Sequence, residues 1–311
     1  MTETSASRNE RRGFKPSDVE EPIDRYFHRP LASLVVRALL PLPVTPNQVT
    51  FFSAFLGLCA GGTMLMGVWR SAWWVAAGGA VLLLSILFDC ADGQLARIRG
   101  QSTPVGRILD GVMDVAAPLA VFHGFGFFLL SRDGTFALIW PVGLAAACSL
   151  VLHTSQYDGV KNLYLHCARP DFSLGGKTLL SVEDVTEFKR EYEERGERFN
   201  VFLMWVWQRW IGSQVKTFEA WADMAPKNDA ERELYRGIFR TYMRTWSWLG
   251  LGLHLFMLMA AALATPFWDQ AVWVVWLTML IPMNLLHLWL VWRRPRLERR
   301  FRQALAELRS S

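Results

Sequence analysis

The chain has 311 residues, of which 52% are hydrophobic, 20% are charged and 15 are tryptophan, and its formal net charge is +5. The hydrophobic residues form six long blocks without charge, which excludes an ordinary soluble domain, because such a domain would have to bury six helices with no polar face. A positive charge on such a chain indicates a surface that attracts anionic lipid rather than a surface that binds nucleic acid.

The N-terminal region is first polar and then amphipathic. The stretch before Pro22 is too long and too polar for a cleaved secretory signal, and we expect it to be disordered. From Pro22 to Leu40, mixed apolar and basic residues predict a helix that lies in the membrane interface. The PLPVTPN turn ends this helix because its three prolines remove backbone donors, and Thr45 or Asn47 can cap the helix that follows.

Six charge-free runs are long enough to cross a bilayer, which takes about 20 apolar residues and tolerates roughly 17 to 25. They are Ala38–Trp69, Ser71–Phe88, Val115–Ser131, Gly134–Tyr157, Thr245–Trp268 and Gln270–Trp292. The predicted fold is an all-α integral membrane protein with six transmembrane helices, an N-terminal amphipathic interfacial helix and a polar helical insertion between spans four and five. The predicted divisions are a cytoplasmic tail with the interfacial helix (1–43), spans one to four (44–157), a polar cytoplasmic insertion (158–244), spans five and six (245–292) and a basic cytoplasmic tail (293–311).

The distribution of basic residues predicts the orientation in the membrane. Basic side chains precede span one, lie between spans two and three, fill the insertion and follow span six. The other connections carry only two basic residues, Arg70 and Arg132, and the connection between spans five and six carries Asp269. Since basic loops stay in the cytoplasm, both termini should be cytoplasmic. The four cysteines (Cys59, Cys90, Cys148 and Cys167) show neither disulfide-like nor zinc-like spacing.

The insertion combines a charged helix, VEDVTEFKREYEERGERF, with a tryptophan-rich segment. The tryptophans of that segment suit a membrane interface, and packing against the rest of the insertion is an equally good interpretation. They are Trp205, Trp207, Trp210 and Trp221.

Acidic residues at the end of span two and the start of span three share helical faces. Asp89, Asp92, Gly93 and Ala96 are spaced i, i+3, i+4 and i+7, and Gly106, Asp110 and Asp114 are spaced i, i+4 and i+8. Two neighbouring helices can thus direct four carboxylates to one point, where the carboxylates would repel one another without cations. Oxygen-only clusters suit hard divalent ions such as Mg²⁺, Mn²⁺ or Ca²⁺.

The residues beside these carboxylates point to a phosphate-bearing substrate. Gly93, Ala96 and Gly106 are small and leave space next to the metal ions. Arg97 adds a fixed positive fork that suits phosphate oxygens. Carboxylate-held metals, a guanidinium and steric clearance together suit a diphosphate at the membrane surface.

The full pattern resembles the complete signature of the CDP-alcohol phosphotransferase family, with every defining position present. It reads Asp89-x2-Asp92-Gly93-x2-Ala96-Arg97-x8-Gly106-x3-Asp110-x3-Asp114. The wider resemblance runs from the TPNQVT segment through span six and leaves out the insertion. It implies a six-helix membrane enzyme, commonly a homodimer, in which a CDP-linked donor gives its phosphoryl-bearing group to an alcohol and CMP is released.

The resemblance also implies roles for individual residues. Two metal ions, Mg²⁺ or Mn²⁺, would be held by Asp89, Asp92, Asp110 and Asp114. Asp114 would in addition be the general base that takes the proton of the acceptor hydroxyl. Gly93, Ala96, Arg97 and Gly106 would line the nucleotide site, and Asn47 and Thr50 would reach the nucleotide from the start of span one.

Several features leave alternatives open. Gln156, Asp158 and Lys161, with His153 and Asn162, could contact the acceptor or simply mark the membrane boundary. His254 and His287 are expected to form hydrogen bonds between helices, and Cys90 is expected to pack.

The preferred function is phospholipid synthesis, by transfer of a phosphatidyl group from CDP-diacylglycerol to a polar alcohol such as inositol phosphate, glycerol phosphate or serine. The modest chain length fits that branch better than the longer enzymes that move phosphocholine or phosphoethanolamine onto diacylglycerol. A Mg²⁺-dependent membrane prenyltransferase would need a second acidic motif, and an ion transporter would place its acids nearer the bilayer midplane.

Overall fold

The computed structural model of the protein describes residues 17–100, 104–133, 135–169, 182–205, 208 and 221–310. These residues form helices and turns and contain no strand. After one π-helical turn at Asp24–His28, the helices are α1 (Arg29–Leu39), α2 (Pro46–Met66), α3 (Ala72–Arg99), α4 (Pro104–Asp133), α5 (Phe136–Ala168), α6 (Val182–Glu194), α7 (Asp229–Trp246), α8 (Leu251–Ala264), α9 (Ala271–Thr278) and α10 (Asn284–Ser310). A second π-helical turn, Met279–Met283, joins α9 to α10.

Six helical segments are long and apolar enough to cross a membrane, which confirms the predicted all-α membrane fold. They are Pro46–Met66, Ala72–Arg99, Asp114–Arg132, Phe136–Ala168, Asp229–Ala264 and Ala271–Ser310. The chain is therefore an integral membrane protein.

The first span begins at a complete capping box. Thr45 Oγ1 accepts a hydrogen bond from Gln48 N at 3.3 Å, and Gln48 Oε1 accepts one from Thr45 N at 2.9 Å. Pro46 occupies the first helical position, where the missing N–H costs nothing. Of the two predicted caps, the structure thus selects Thr45, and Asn47 is exposed in the first turn of α2.

Spans one to three pack closely because small residues line their contacts. Gly57 of α2 meets Ala117 of α4, and Gly61 meets the backbone of Ala120, so close that a Cβ at either glycine would collide. Ser85 Oγ of α3, which lies 3.2 Å from the Cβ position of Gly57, donates to Ser53 O at 2.7 Å. Such contacts are typical of membrane helices, in which close backbone approach replaces the hydrophobic effect. They place α2 between α3 and α4.

Residues 17–39, which we call the N-terminal strap, join this three-helix unit to the later spans. The apolar side of α1 packs on α3 through Ala32, Val36 and Ala91. Gln94 of α3 donates from Nε2 to Arg29 O at 3.3 Å. The predicted helix thus has one face against the protein, while Leu34 is 60% exposed and fits the interfacial position expected for it.

The other contacts of the strap reach the second half of the chain. Tyr157 Oη of α5 donates to Val19 O at 2.5 Å, and Arg240 Nε of α7 pairs with Asp18 Oδ1 at 2.8 Å. At the start of α8, Leu253 N donates to Glu21 Oε2 at 3.2 Å. The strap therefore connects α3, α5, α7 and α8 at one end of the bundle.

The structure locates several elements beyond the predicted spans. Helix α5 continues past Tyr157 to Ala168, and α10 continues from span six through the basic tail to Ser310. Trp221 is buried and stacks near Phe301, whereas Trp205 is 47% exposed. Trp207 and Trp210 lie outside the described residues. For Trp221 the structure favours packing over an interfacial position.

Candidate functional site

Two of the predicted metal ligands lie one helical turn apart near the end of α3. Asp92 is buried, with 5% of its surface exposed, and Asp89 is half-buried. Thr50 of α2 donates from Oγ1 to Asp92 Oδ2 at 2.5 Å. Span one thus fixes the orientation of the Asp92 carboxylate. Thr50 was predicted to reach the nucleotide, and the described contact joins it to a predicted ligand instead.

Arg97 lies over Gly93 on the same face of α3. A Cβ at Gly93 would stand 3.4 Å and 3.5 Å from Nη1 and Nη2 of Arg97. The glycine therefore gives clearance to the guanidinium itself, which curls back one turn over Gly93, the residue that follows Asp92. The Arg97 side chain is exposed, and the neighbouring Ala96 is half-exposed. A charged fork next to two carboxylates can accept a phosphate group that also contacts their metal ions.

The other half of the motif lies at the N-terminal end of α4. Asp114 is half-buried. Gly106 and Asp110 belong to the same helix, and their side-chain environment lies outside the described residues. Because α3 ends and α4 begins within a few residues of each other, both carboxylate-bearing segments lie at the same end of the bundle. The donor set is oxygen-only, which fits a hard divalent cation.

Arg99, one of the basic residues between spans two and three, binds the backbone before span one. Its Nη2 donates to Leu42 O at 2.9 Å, Leu40 O at 3.1 Å and Leu39 O at 3.3 Å, and its Nη1 donates to Val44 O. These carbonyls lie at and just beyond the C-terminal end of α1, where a helix leaves its last carbonyls without intrahelical partners. Arg99 thus fastens the turn between α1 and α2 to the end of the signature helix.

We expect Arg99→Gln to lower the stability of the folded protein by about 2 kcal/mol, because charge-assisted hydrogen bonds to several carbonyls are lost. Thermal unfolding in detergent measures the change. Arg37→Gln is the matched control, since Arg37 lies on α1 and is exposed. Equal unfolding midpoints for the two variants would show that the carbonyl contacts do not stabilise the turn.

The predicted acceptor residues lie on the extended part of α5. Asp158 forms an ion pair with Lys161 and accepts a hydrogen bond from Asn162 Nδ2 at 3.3 Å. The Lys161 ammonium also stands 5.4 Å from the centre of the Tyr157 ring. Gln156 is exposed. The two charged candidates therefore neutralise each other in this arrangement.

A buried polar network ties spans four, five and six together. His153 Nδ1 lies 3.2 Å from His254 Nε2, and His153 Nε2 lies 3.2 Å from Asn284 Oδ1. Asn284 Nδ2 donates to Ser149 Oγ at 2.9 Å. The expected hydrogen bond between helices is confirmed for His254, whereas His287 Nε2 is buried without a hydrogen-bond partner among the described residues.

A second group of ligand-type side chains lies beside the signature. The potential ligand atoms of Asp24, His28 and Cys90 all lie within 4.8 Å of one another. Cys90 follows Asp89 directly, but the other two residues come from the strap. Cysteine spacing along the chain could not reveal this group, because more than 60 residues separate His28 from Cys90. Among the described residues, it is the one group of three or more such side chains whose potential ligand atoms lie this close together.

Comparison with known proteins places the signature within a family. Residues 43–162 match the family described as CDP-alcohol phosphatidyltransferase. A protein of Mycobacteroides abscessus named phosphatidylinositol phosphate synthase is 34% identical over 110 residues, which are 35% of this chain and 46% of that protein. A Corynebacterium glutamicum protein of the same name is 33% identical over 123 residues, 39% of this chain and 51% of that protein.

A third relative is matched over a smaller share of its length. The Rubrobacter xylanophilus protein named bifunctional IPC transferase and DIPP synthase is 31% identical over 112 residues, 36% of this chain and 24% of that protein. The chain thus spans between a quarter and about half of the length of these relatives. The family match covers the part of the chain that carries the aspartate motif and ends at residue 162, within the first residues of the predicted insertion.

Proposed function

We propose that the chain is a membrane enzyme of phospholipid synthesis, because residues 43–162 match the CDP-alcohol phosphatidyltransferase family. It transfers the phosphatidyl group of CDP-diacylglycerol to a polar alcohol and releases CMP. The observation that carries this proposal is the arrangement on α3, where the Arg97 guanidinium lies over Gly93, next in the chain to the buried Asp92 and one turn after the half-buried Asp89.

Divalent cations are part of this proposal, and the oxygen-only donor set fits them. Two Mg²⁺ or Mn²⁺ ions would be held by Asp89, Asp92, Asp110 and Asp114. When bound, they withdraw charge from the diphosphate and from the departing CMP.

Individual side chains bind the donor, orient a metal ligand and accept the proton. Arg97 holds phosphate oxygens of the donor, and Thr50 keeps the Asp92 carboxylate oriented. Asp114 accepts the proton of the acceptor hydroxyl, whose oxygen then attacks the phosphatidyl phosphorus. The bond from that phosphorus to the CMP oxygen breaks, and CMP leaves with the electron pair. Asn47, exposed at the start of α2, is a further contact for the nucleotide.

The first acceptor to test is an inositol phosphate, because two of the relatives are named phosphatidylinositol phosphate synthase. The motif in the matched stretch serves the CDP-linked donor and does not determine the acceptor. The acceptor must therefore be identified by experiment. We place Gln156, Asp158 and Lys161 near the acceptor; the Asp158–Lys161 ion pair would then open to receive it. We further propose that both termini and the site face the cytoplasm and that the enzyme is a homodimer.

The experiment is a panel of acceptors with purified protein in lipid or detergent. CDP-diacylglycerol and Mg²⁺ are incubated with inositol phosphate, inositol, glycerol phosphate or serine, and CMP release and the mass of the lipid product are measured. We expect one acceptor to give CMP and a new phospholipid. CMP formed only from CDP-choline or CDP-ethanolamine with diacylglycerol would replace this proposal with the other branch of the family. No CMP with any pair would overturn it.

A further inference from the structure

We propose that Asp24, His28 and Cys90 form a binding site for a thiophilic divalent metal ion, with Zn²⁺ as the best match. The site is distinct from the aspartate motif, because it contains one residue of α3 and two residues of the strap. All the potential ligand atoms lie within 4.8 Å of one another, which is the separation that a single ion can bridge.

The environment of His28 is that of a metal ligand. Its Nδ1 lies 2.8 Å from Asp24 Oδ1, one helical turn away. The imidazole is completely buried, and its Nε2 has no hydrogen-bond partner among the described residues. A buried ring nitrogen without a partner is costly in a structural histidine. An ion shared by the Asp24 carboxylate, the His28 imidazole and the Cys90 thiolate would combine three ligand types that Zn²⁺ takes in proteins.

Cys90 determines the class of metal. A thiolate with an imidazole favours Zn²⁺ and similar ions over Mg²⁺ or Ca²⁺. Cys90 is half-buried on the side of α3 that packs against Ala32 and Val36 of α1, where a purely packing role would also place it. Packing alone would not require an imidazole and a carboxylate of the strap to lie next to the Cys90 thiol, as His28 and Asp24 do.

A second carboxylate next to the group strengthens the case for a cation. The carboxylates of Asp24 and Glu21 both lie against Gly252 at the start of α8, with Glu21 Oε2 at 3.0 Å from the position that a Cβ would take. Glu21 is 8% exposed. Two carboxylates this close repel each other in a buried setting, and a dication offsets that repulsion. Glu21 thus supplies a further oxygen beside Asp24.

A metal ion here would fasten the strap to α3 at the residue that follows Asp89. It would act as a structural ion, since structural sites combine cysteine and histidine ligands in closed coordination. Its chemistry differs from that of the catalytic ions, which the proposed function assigns to hard oxygen ligands only.

Cobalt substitution tests the site directly. The purified full-length protein is depleted of metal and titrated with Co²⁺, and the thiolate-to-cobalt charge-transfer absorption is recorded. We expect one equivalent of Co²⁺ to produce the band and Zn²⁺ to displace it. Cys90→Ser and His28→Asn should lose the band, whereas the matched controls Cys59→Ser and His123→Gln should keep it.

The outcomes separate this site from the proposed function. A folded protein that shows no cobalt–thiolate band, or keeps it in Cys90→Ser, overturns the site, whatever its CMP release. Cys90→Ser changes a single atom, and thermal unfolding measures whether this variant is folded. It keeps the test valid if His28→Asn does not fold. A band of the expected stoichiometry in a protein that releases no CMP with any acceptor would support the site and overturn the enzyme activity alone.

Discussion

Asp114→Asn should lower the rate of CMP release by a factor of about 10² to 10⁴, while CDP-diacylglycerol still binds. The amide keeps the shape of the side chain but cannot take the proton of the acceptor hydroxyl. It also removes one negative charge from the proposed metal site, so the assay is run at saturating Mg²⁺. Initial rates of CMP release and equilibrium binding of the donor measure the two effects separately.

The matched control is Asp269→Asn, because Asp269 is an exposed carboxylate on the link between spans five and six. It should retain the rate of the unchanged protein. Full activity in Asp114→Asn would remove the assignment of Asp114 as the base. Loss of donor binding together with the rate would instead give Asp114 a role in metal binding alone.

Exhaustive removal of divalent cations should abolish CMP release, and Mg²⁺ or Mn²⁺ should restore it. Without the ions, the donor diphosphate would face the buried Asp92 carboxylate and its neighbours, and like charges would repel it. The leaving CMP would also lose the charge stabilisation that metal ions provide. Chelation followed by titration of each ion, with CMP release as the readout, measures the requirement.

The same titration in Cys90→Ser separates the catalytic ions from the proposed zinc site. If the hard ions serve the aspartate motif, Mg²⁺ should restore turnover in this variant as it does in the unchanged protein. Undiminished activity after complete chelation would exclude the two-metal mechanism.

Much of the membrane fold could be predicted from where the charges are missing. The run from Ala38 to Trp69 contains the whole of α2, and the Thr45 cap is visible because Ser/Thr and Gln at fixed spacing form a capping box. The i, i+3 spacing of Asp89 and Asp92 placed both residues on one side of α3. These are local features, for which neighbouring residues carry the whole signal.

The contacts between distant segments could not be predicted in this way. Nothing near Arg99 in the chain indicates that it binds the carbonyls of Leu40 and Leu42, since the partners are more than 50 residues away. Likewise, the sequence places Thr50 only near the start of a span. Its hydrogen bond to Asp92 depends on the packing of α2 against α3, which the sequence does not give. Periodicity gives the face of a helix but does not give the partner of that face.

The strap has a consequence for the order in which the protein is assembled. It leaves the ribosome before its partners Tyr157, Arg240 and Leu253, which follow 138, 222 and 232 residues after the strap residues that they bind. Since chains fold from the N-terminus during synthesis, spans one to three can pack long before these partners exist. The strap can therefore close only as one of the last events of biogenesis, after span five has entered the membrane.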